Sequence, residues 1–220
     1  MDTSAARKAI FSRIRQAQNR PVEPTQAERD AVRDYINAHS QGPRPSIGSD
    51  LIERFKQQAL RMSDTVDEVV SLNEVPAAVA RYLDSVGVAK QAIAWKTLDS
   101  FAWGEAGVQV EFRAPRNEDL VGITGAFCAV AETGSLMVLS GPDTYSSASL
   151  LPETHIAIVA ASRIVGAMED AFALARNEHG ELPRAVNFIS GPSRTGDIEQ
   201  TIVLGAHGPY RVHVIVVSAA

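Results

Sequence analysis

The segment that decides the fold of this chain is Val186-Asn-Phe-Ile-Ser-Gly-Pro-Ser-Arg-Thr-Gly-Asp-Ile-Glu199, followed by Gly205-Ala-His-Gly-Pro209. A β-prone run, Val186 to Ile189, stops at a Gly-Pro pair, and the loop beyond it presents hydroxyls and the guanidinium of Arg194. In α/β proteins, a loop of this kind at the end of a buried strand often carries a polar site. Its groups suit a carboxylate or a phosphate. The alternative is a well-capped turn with a solvated arginine.

Three polar residues of this region are candidates for the site. Arg194 is the anion anchor, because its planar guanidinium can bind a carboxylate or phosphate with two parallel hydrogen bonds. Asp197 either caps the following turn or orients Arg194. His207 lies in the loop before the last strand, where it can transfer protons near neutral pH or form a structural hydrogen bond.

Composition restricts the classes of function. The chain has 220 residues, of which 45% are hydrophobic and 21% charged, so it suits one large α/β domain with or without a small helical extension. Its net charge of -5 provides no basic field for nucleic acid or an anionic membrane. Cys128 is the single cysteine, which excludes an intrachain disulfide and any cluster held by several thiolates of this chain. We expect Cys128 to be a small buried residue rather than a nucleophile.

Several site classes find no support in the sequence. No run is a convincing membrane span, and the N-terminus lacks the continuous apolar core of a signal peptide, so we expect a cytoplasmic protein. The histidines show no zinc-like spacing, which predicts no metal site. A dinucleotide fingerprint and a P-loop are both missing from the sequence, so we expect no cofactor and no hydride transfer by this chain alone.

Residues 1–48 are predicted to form a helical arm. Apolar residues recur on one face of the first helix, at Ala6, Ile10, Ile14 and Ala17. Thr25, with Glu28 three residues later, predicts a capping box at the start of a second helix. A stretch rich in Gly and Pro, residues 41–48, then breaks the helical pattern.

Residues 49–220 are predicted to form one α/β domain. Ser49 is expected to cap its first helix, and helices are also predicted at 74–86 and 166–176. The predicted strands are 65–70, 92–95, 109–113, 121–124, 126–131, 135–139, 155–160, 186–190 and 211–217. This alternation predicts a mainly parallel central sheet with helices on both faces, which the β-rich insert at 108–139 makes mixed.

Glu132 is the most suggestive acid. It is the only charged residue between Asp119 and Asp143, and it precedes Thr133-Gly134, where two apolar strands should turn. A carboxylate in apolar surroundings can act as a general base or a nucleophile. The alternative is a glutamate at a hairpin tip in water. Of the remaining histidines, His155 is expected to pack at a strand end, and His213 to face solvent or an interface.

Three motifs carry a resemblance to a known family. Ser190–Glu199 together with Gly205–Pro209 closely resembles the C-terminal signature of the lactate-utilisation protein C family, also called LUD-domain proteins. Ile123–Leu136 and Leu151–Val159 look like two further motifs of that family, in the same order. The departures are Gly196 where Ala is expected and Ala206 where Val is usual, and neither removes a functional group.

The resemblance implies a fold, a role and a set of residues. The fold would be similar to that of CoA transferases and ribose-5-phosphate isomerases, with the site at the carboxyl ends of the strands. The role would be in L-lactate oxidation to pyruvate beside iron–sulfur partner proteins, with this chain binding a small organic anion or supporting the complex. The alternative is a stand-alone enzyme acting on a small anionic or CoA-linked substrate; a homo-oligomer is possible in either case. The predicted catalytic residues are Glu132 and His207, and the predicted binding residues are Gly125, Thr133, Gly134, Gly191, Ser193, Arg194, Thr195 and Asp197.

Overall fold

A computed structural model describes residues 2–21, 23–196 and 201–219. The chain divides into two compact units, Met1–Pro43 and Arg44–Ala220. The first unit contains helices α1 (Ser4–Ala17) and α2 (Gln26–Ala38). The capping box predicted at the start of α2 is confirmed, because Thr25 and Glu28 exchange both of its hydrogen bonds.

The second unit contains a six-stranded sheet in which every neighbouring pair of strands is parallel. Its strands are β1 (Thr65–Val69), β2 (Gln91–Ala94), β3 (Gln109–Phe112), β4 (Val121–Gly125), β7 (Thr154–Ala160) and β12 (Arg211–Val217), in the order β1-β12-β7-β4-β2-β3. The helices of the second unit are α3 (Leu51–Arg61), α4 (Val75–Val86) and α5 (Met168–His179). The predicted α/β class, with a parallel central sheet flanked by helices, is confirmed. Asp50 rather than Ser49 caps α3, since its carboxylate accepts a hydrogen bond from the backbone of Glu53.

The antiparallel pairing predicted for the β-rich insert lies in a second sheet. This sheet has four strands: β5 (Cys128–Val130), β6 (Ser135–Leu139), β8 (Ile164–Val165) and β9 (Val186–Ile189). Their order in the sheet is β8-β5-β6-β9. A pair of antiparallel strands of two residues each, β10 (Arg194–Thr195) and β11 (Val203–Leu204), follows β9; we call it the β10–β11 hairpin. Strands of two residues are too short to show a periodic pattern, so the sequence did not predict β8, β10 and β11.

The core is formed mainly by the continuous apolar strands. Ile123 of β4, Ile156 of β7 and Ile215 of β12 are fully shielded from solvent. Cys128 and Met137 belong to a smaller core that joins β5 and β6 to α5. Because parallel strands are covered on both faces, their side chains are apolar on both faces as well.

The polar loops lie at the edge of the parallel sheet where its strands begin. Ser193 donates its backbone N–H to the carbonyl of Pro209, and Gly205 donates to the carbonyl of Ser193, just before β12 starts. This placement differs from the expected carboxyl ends. The Ser193 loop also follows the carboxyl end of β9, which runs in the same direction as β5 and β8 in the second sheet. The sequence could not assign β9 to a separate sheet, so the expected edge was wrong for the parallel sheet.

Two glycines bring separate loops against the last turn of α3. Gly134 has φ +72°, and a Cβ atom there would lie 2.5 Å from the backbone nitrogen of Ala59. Gly191 has φ +81°, and its Cβ would lie 2.3 Å from the carbonyl oxygen of Met62. Both positions therefore require glycine for conformation and for space.

We predict that Gly134→Ala destabilises the protein by roughly 2–4 kcal/mol, because a methyl group adds a steric clash to the strain of a positive φ. The matched control is Gly87→Ala, since Gly87 has φ +68° but nothing within 4 Å of its Cβ position. The control should cost only about 1 kcal/mol in urea unfolding. Equal losses in the two variants would show that the close approach to α3 contributes nothing.

Candidate functional site

Arg194 lies at the junction between α3 and β1. Its Nη2 donates a hydrogen bond of 3.0 Å to the carbonyl of Met62 and a second bond to the hydroxyl of Ser63. Met62 is the C-cap of α3, and a cation is favourable beside the C-terminus of a helix. The residue is also exposed, so the guanidinium fork reaches the protein surface. Arg194 thus combines a structural contact with a surface position suited to an anion.

Asp64 is a candidate site residue that no sequence pattern indicated. It directly precedes β1, is only 4% exposed, and its Oδ1 has no hydrogen-bond partner among the described residues. Burial raises the pKa of the Asp64 carboxyl to about 7, while the nearby charge of Arg194 acts in the opposite direction. The carboxyl can therefore gain or lose a proton near neutral pH. Nothing in Met62-Ser-Asp-Thr65 distinguishes it from a solvated turn, because Arg194 is distant in the chain.

A hydrogen bond between Ser193 and His207 joins the two loops at the edge where the parallel strands begin. The backbone N–H of His207 donates to the hydroxyl of Ser193 at 3.3 Å, and Gly208 packs against the same side chain. A cleft of about 750 Å³ opens beside them, at the beginnings of β7 and β12. We call it the amino-edge cleft; its polar lining consists chiefly of Glu153, His207, Tyr210 and Arg211.

Arg211 supplies a guanidinium to the amino-edge cleft. Its guanidinium carbon lies 5.0 Å from the ring centroid of Tyr210, and Nη1 is 3.4 Å from the hydroxyl of Thr154. The aromatic ring and the hydroxyl limit the positions that this long side chain can take. Arg211 is thus a further cation at this edge that the sequence analysis did not select.

Glu132 lies in the turn between β5 and β6, as predicted, and is half-buried. Its backbone N–H donates to the carbonyl of Gly166 at 3.0 Å, and the neighbouring Thr133 hydroxyl is 2.8 Å from that of Ser135. The described residues give the Glu132 carboxylate no hydrogen bond or ion pair. This turn packs on Gln58 and Ala59 of α3, and the Arg194 loop packs on Met62. The two loops therefore contact the same helix end without a direct bond between Glu132 and Arg194 in the described structure.

The other predicted binding residues are distributed differently. Thr195 pairs with Val203 in the β10–β11 hairpin, beside Arg194. Gly125 lies at the carboxyl end of β4, beside Trp95 and at the opposite edge of the parallel sheet. Asp197, which the sequence predicts as a binding residue, lies outside the described residues.

Two buried histidines have structural contacts. His155 is fully buried, with Nε2 2.8 Å from the hydroxyl of Thr124, and burial lowers its pKa to about 4. His213 stacks on Tyr82 with 3.8 Å between ring centroids. Its Nδ1 lies 2.8 Å from the hydroxyl of Thr65. The expectation that His213 faces solvent or an interface is therefore wrong: the alternation in β12 does not mark an exposed face, because α4 covers it.

Cys128 has the properties of a core residue. Its side chain is fully buried and lies 3.7 Å from the sulfur of Met137. Burial raises the pKa of the thiol to about 11, which disfavours the reactive thiolate. Within the described residues, no group of three or more His, Cys, Asp and Glu side chains is arranged to hold a metal ion. No helix in this part of the chain is long and apolar enough to cross a bilayer.

Comparison with known proteins shows the family. The family model described as LUD domain matches residues 25–217. A "Lactate utilization protein C" from Exiguobacterium sp. is 30% identical over 226 residues, covering 98% of this chain and 97% of that protein. A protein of the same name from Shouchella clausii is 33% identical over 183 residues, covering 76% and 79%. The chain belongs to the LUD-domain family.

Other similarities cover less of the relatives or concern the fold. With "Lactate utilization protein C 1" of Bacillus mycoides, the identity is 40% over 119 residues, and the match spans 53% of this chain but only half of that relative. A crystal structure of a DUF162 family protein from Deinococcus radiodurans is similar with a TM-score of 0.59 and 26% identity. That similarity covers 76% of this chain and 96% of the Deinococcus chain.

Asp64 should make stability depend on pH. Folding raises the pKa of its carboxyl from 3.8 to about 7, so the folded state binds more protons between these values and stability falls as pH rises through this window. We predict that Asp64→Asn is more stable than the parent chain by roughly 2–4 kcal/mol at pH 8, with the difference shrinking towards pH 4.

The measurement is urea unfolding across this pH range. Asp99→Asn is the matched control, since Asp99 is exposed, and it should leave the pH dependence unchanged. Parallel pH profiles for the parent chain and Asp64→Asn would contradict the assignment of a neutral-range proton to Asp64.

Proposed function

We propose that this chain takes part in lactate utilisation by binding a small organic carboxylate at the amino-edge cleft. Two relatives that it matches over most of their length carry the name "Lactate utilization protein C". The observation that carries the binding proposal is that Arg211 and His207 line this cleft, while Arg194 lies at the same edge of the sheet and donates to Met62. Guanidinium groups are suited to carboxylates because they donate two parallel hydrogen bonds.

The charge of the lining supports this choice of cleft. Arg211 and His207 line the amino-edge cleft. Leu204 also lines the cleft, and it pairs with Arg194 in the β10–β11 hairpin. Glu153 is the acidic residue of the lining, so a hydroxyl group of the ligand has an acceptor beside the cations. A short hydroxy acid combines the two kinds of group that this lining can bind.

The redox step is assigned by this proposal to partner proteins that carry iron–sulfur clusters. The chain has one cysteine, and that residue is fully buried in the smaller core. A cluster held by several cysteine thiolates therefore needs ligands from another chain. In this proposal the present chain binds the organic acid or supports the assembly, while electron transfer takes place on the partners.

We predict that Arg211→Gln weakens binding of L-lactate about ten- to a hundredfold, because Arg211 lines the cleft and a charge-assisted hydrogen bond contributes roughly 1.5–3 kcal/mol. The measurement is isothermal titration calorimetry, supported by thermal melting. Arg184→Gln is the matched control, since Arg184 is exposed and lies before β9. If Arg211→Gln binds L-lactate like the parent chain, the guanidinium of this cleft does not bind the carboxylate.

A second candidate function rests on Glu132, whose half-buried carboxylate has no partner in the described structure. In a CoA-transferase reaction, a carboxylate oxygen attacks the thioester carbonyl of an acyl-CoA and the CoA thiolate leaves. The displaced thiolate then attacks the glutamyl carbonyl of the resulting anhydride, and the acyl group leaves as a free carboxylate. The product is a glutamyl-CoA thioester that hydroxylamine can trap.

We predict for this second candidate that acetyl-CoA followed by hydroxylamine modifies Glu132 of the parent chain, as read by mass spectrometry, and that Glu132→Gln abolishes the modification. The exposed Glu118→Gln is the control and should leave trapping unchanged. Absence of modification at Glu132 in the folded parent chain would exclude this reaction with acetyl-CoA.

A further inference from the structure

The order of strands in the parallel sheet changes direction between β2 and β4. From β2 the chain continues to β3 on one side, whereas from β4 it continues by way of β5 and β6 to β7 on the other side. Crossovers that diverge in this way leave a crevice at the carboxyl ends of the two strands, where open α/β sheets bind ligands. Trp95 follows β2, and Gly125 ends β4, at this point.

A pocket of about 610 Å³ occupies the crevice, and we call it the carboxyl-edge pocket. The indole of Trp95 is held by a 3.0 Å hydrogen bond from Nε1 to the carbonyl of Tyr145. Its ring lies beside Gly125, where an added Cβ would be 3.7 Å from Cζ3 of the indole. Phe127 and Leu139 add further apolar surface. The missing side chain at Gly125 thus keeps space open beside a fixed aromatic ring.

The polar groups of the carboxyl-edge pocket differ from those of the amino-edge cleft. Its polar lining residues include Glu181, His179 and Ser140, and the hydroxyl of Ser140 already accepts a 3.0 Å hydrogen bond from the backbone N–H of Ala185. No lysine or arginine of the described residues lines it. The hydroxyl of Thr144, also in the lining, already donates to the carbonyl of Leu139, so it offers an acceptor to a ligand. The lining therefore favours N–H donors and positive charge over anions.

We propose that the carboxyl-edge pocket is a second ligand site, for a planar aromatic molecule that carries N–H donors and no negative charge. The aromatic body contacts Trp95 and Phe127, and the N–H donors meet Glu181 and the hydroxyls. A volume of about 610 Å³ lies in the range of small-molecule sites, roughly 300–1,000 Å³. This site is separate from the amino-edge cleft and does not depend on lactate binding.

Two probes with the same ring and opposite charge test the proposal by titration calorimetry on the full chain. Tryptamine carries an indole and an ammonium group, whereas indole-3-acetate carries the same ring and a carboxylate. We expect tryptamine to bind and indole-3-acetate to bind at least about tenfold more weakly. Glu181→Gln changes an exposed side chain, and it should weaken tryptamine about tenfold through loss of a charge-assisted contact.

Filling the pocket provides an independent test. Gly125→Val should weaken tryptamine binding at least about tenfold, whereas Gly104→Val should leave it unchanged, because the Cβ position at Gly104 meets nothing within 4 Å. Thermal melting establishes whether each variant is folded. If Gly125→Val does not fold, tryptamine binding by Glu181→Gln tests the proposal instead. The proposal is overturned if tryptamine does not bind the parent chain, if both probes bind equally, or if the folded variants at Gly125 and Glu181 bind tryptamine normally.

Discussion

The last turn of α3 is the constraint on which the arrangement of polar loops depends. Gly134 and Gly191 approach the backbone of this turn so closely that neither position has room for a Cβ atom. Arg194 then donates to Met62 at the same helix end. A turn between two strands of the second sheet and the loop after β9 are thereby fixed against one structural element. Because Asp64 follows this helix end directly, a buried carboxyl is fixed near the guanidinium of Arg194.

Much of the fold could be predicted from local patterns, because each pattern has a local cause. The capping box of Thr25 and Glu28 and the continuous apolar strands need only neighbouring residues or uniform burial to be recognised. The division into two sheets was not predictable in this way, since it depends on which strands pair across the chain. For that reason, the sequence placed the Arg194 loop at the carboxyl ends of the parallel strands, whereas it lies at the edge where these strands begin.

The candidate site could be predicted only in part. Arg194 and His207 lie in Gly/Pro-punctuated loops, which is a local signal, and both reach the surface at the same edge. Asp64 gave no signal, because its burial and its proximity to Arg194 arise from contacts across more than a hundred residues. His213 was misplaced because an alternating polar residue in a strand does not reveal that a tyrosine from a helix covers it.

The central claim is that a small organic carboxylate binds at the edge where the parallel strands begin. The most direct measurement is a crystal structure of the full chain with L-lactate. We expect the lactate carboxylate within hydrogen-bond distance of the Arg211 guanidinium, with the lactate hydroxyl towards Glu153. Lactate bound instead beside Trp95 and Gly125, or no bound lactate at saturating concentration, would contradict it.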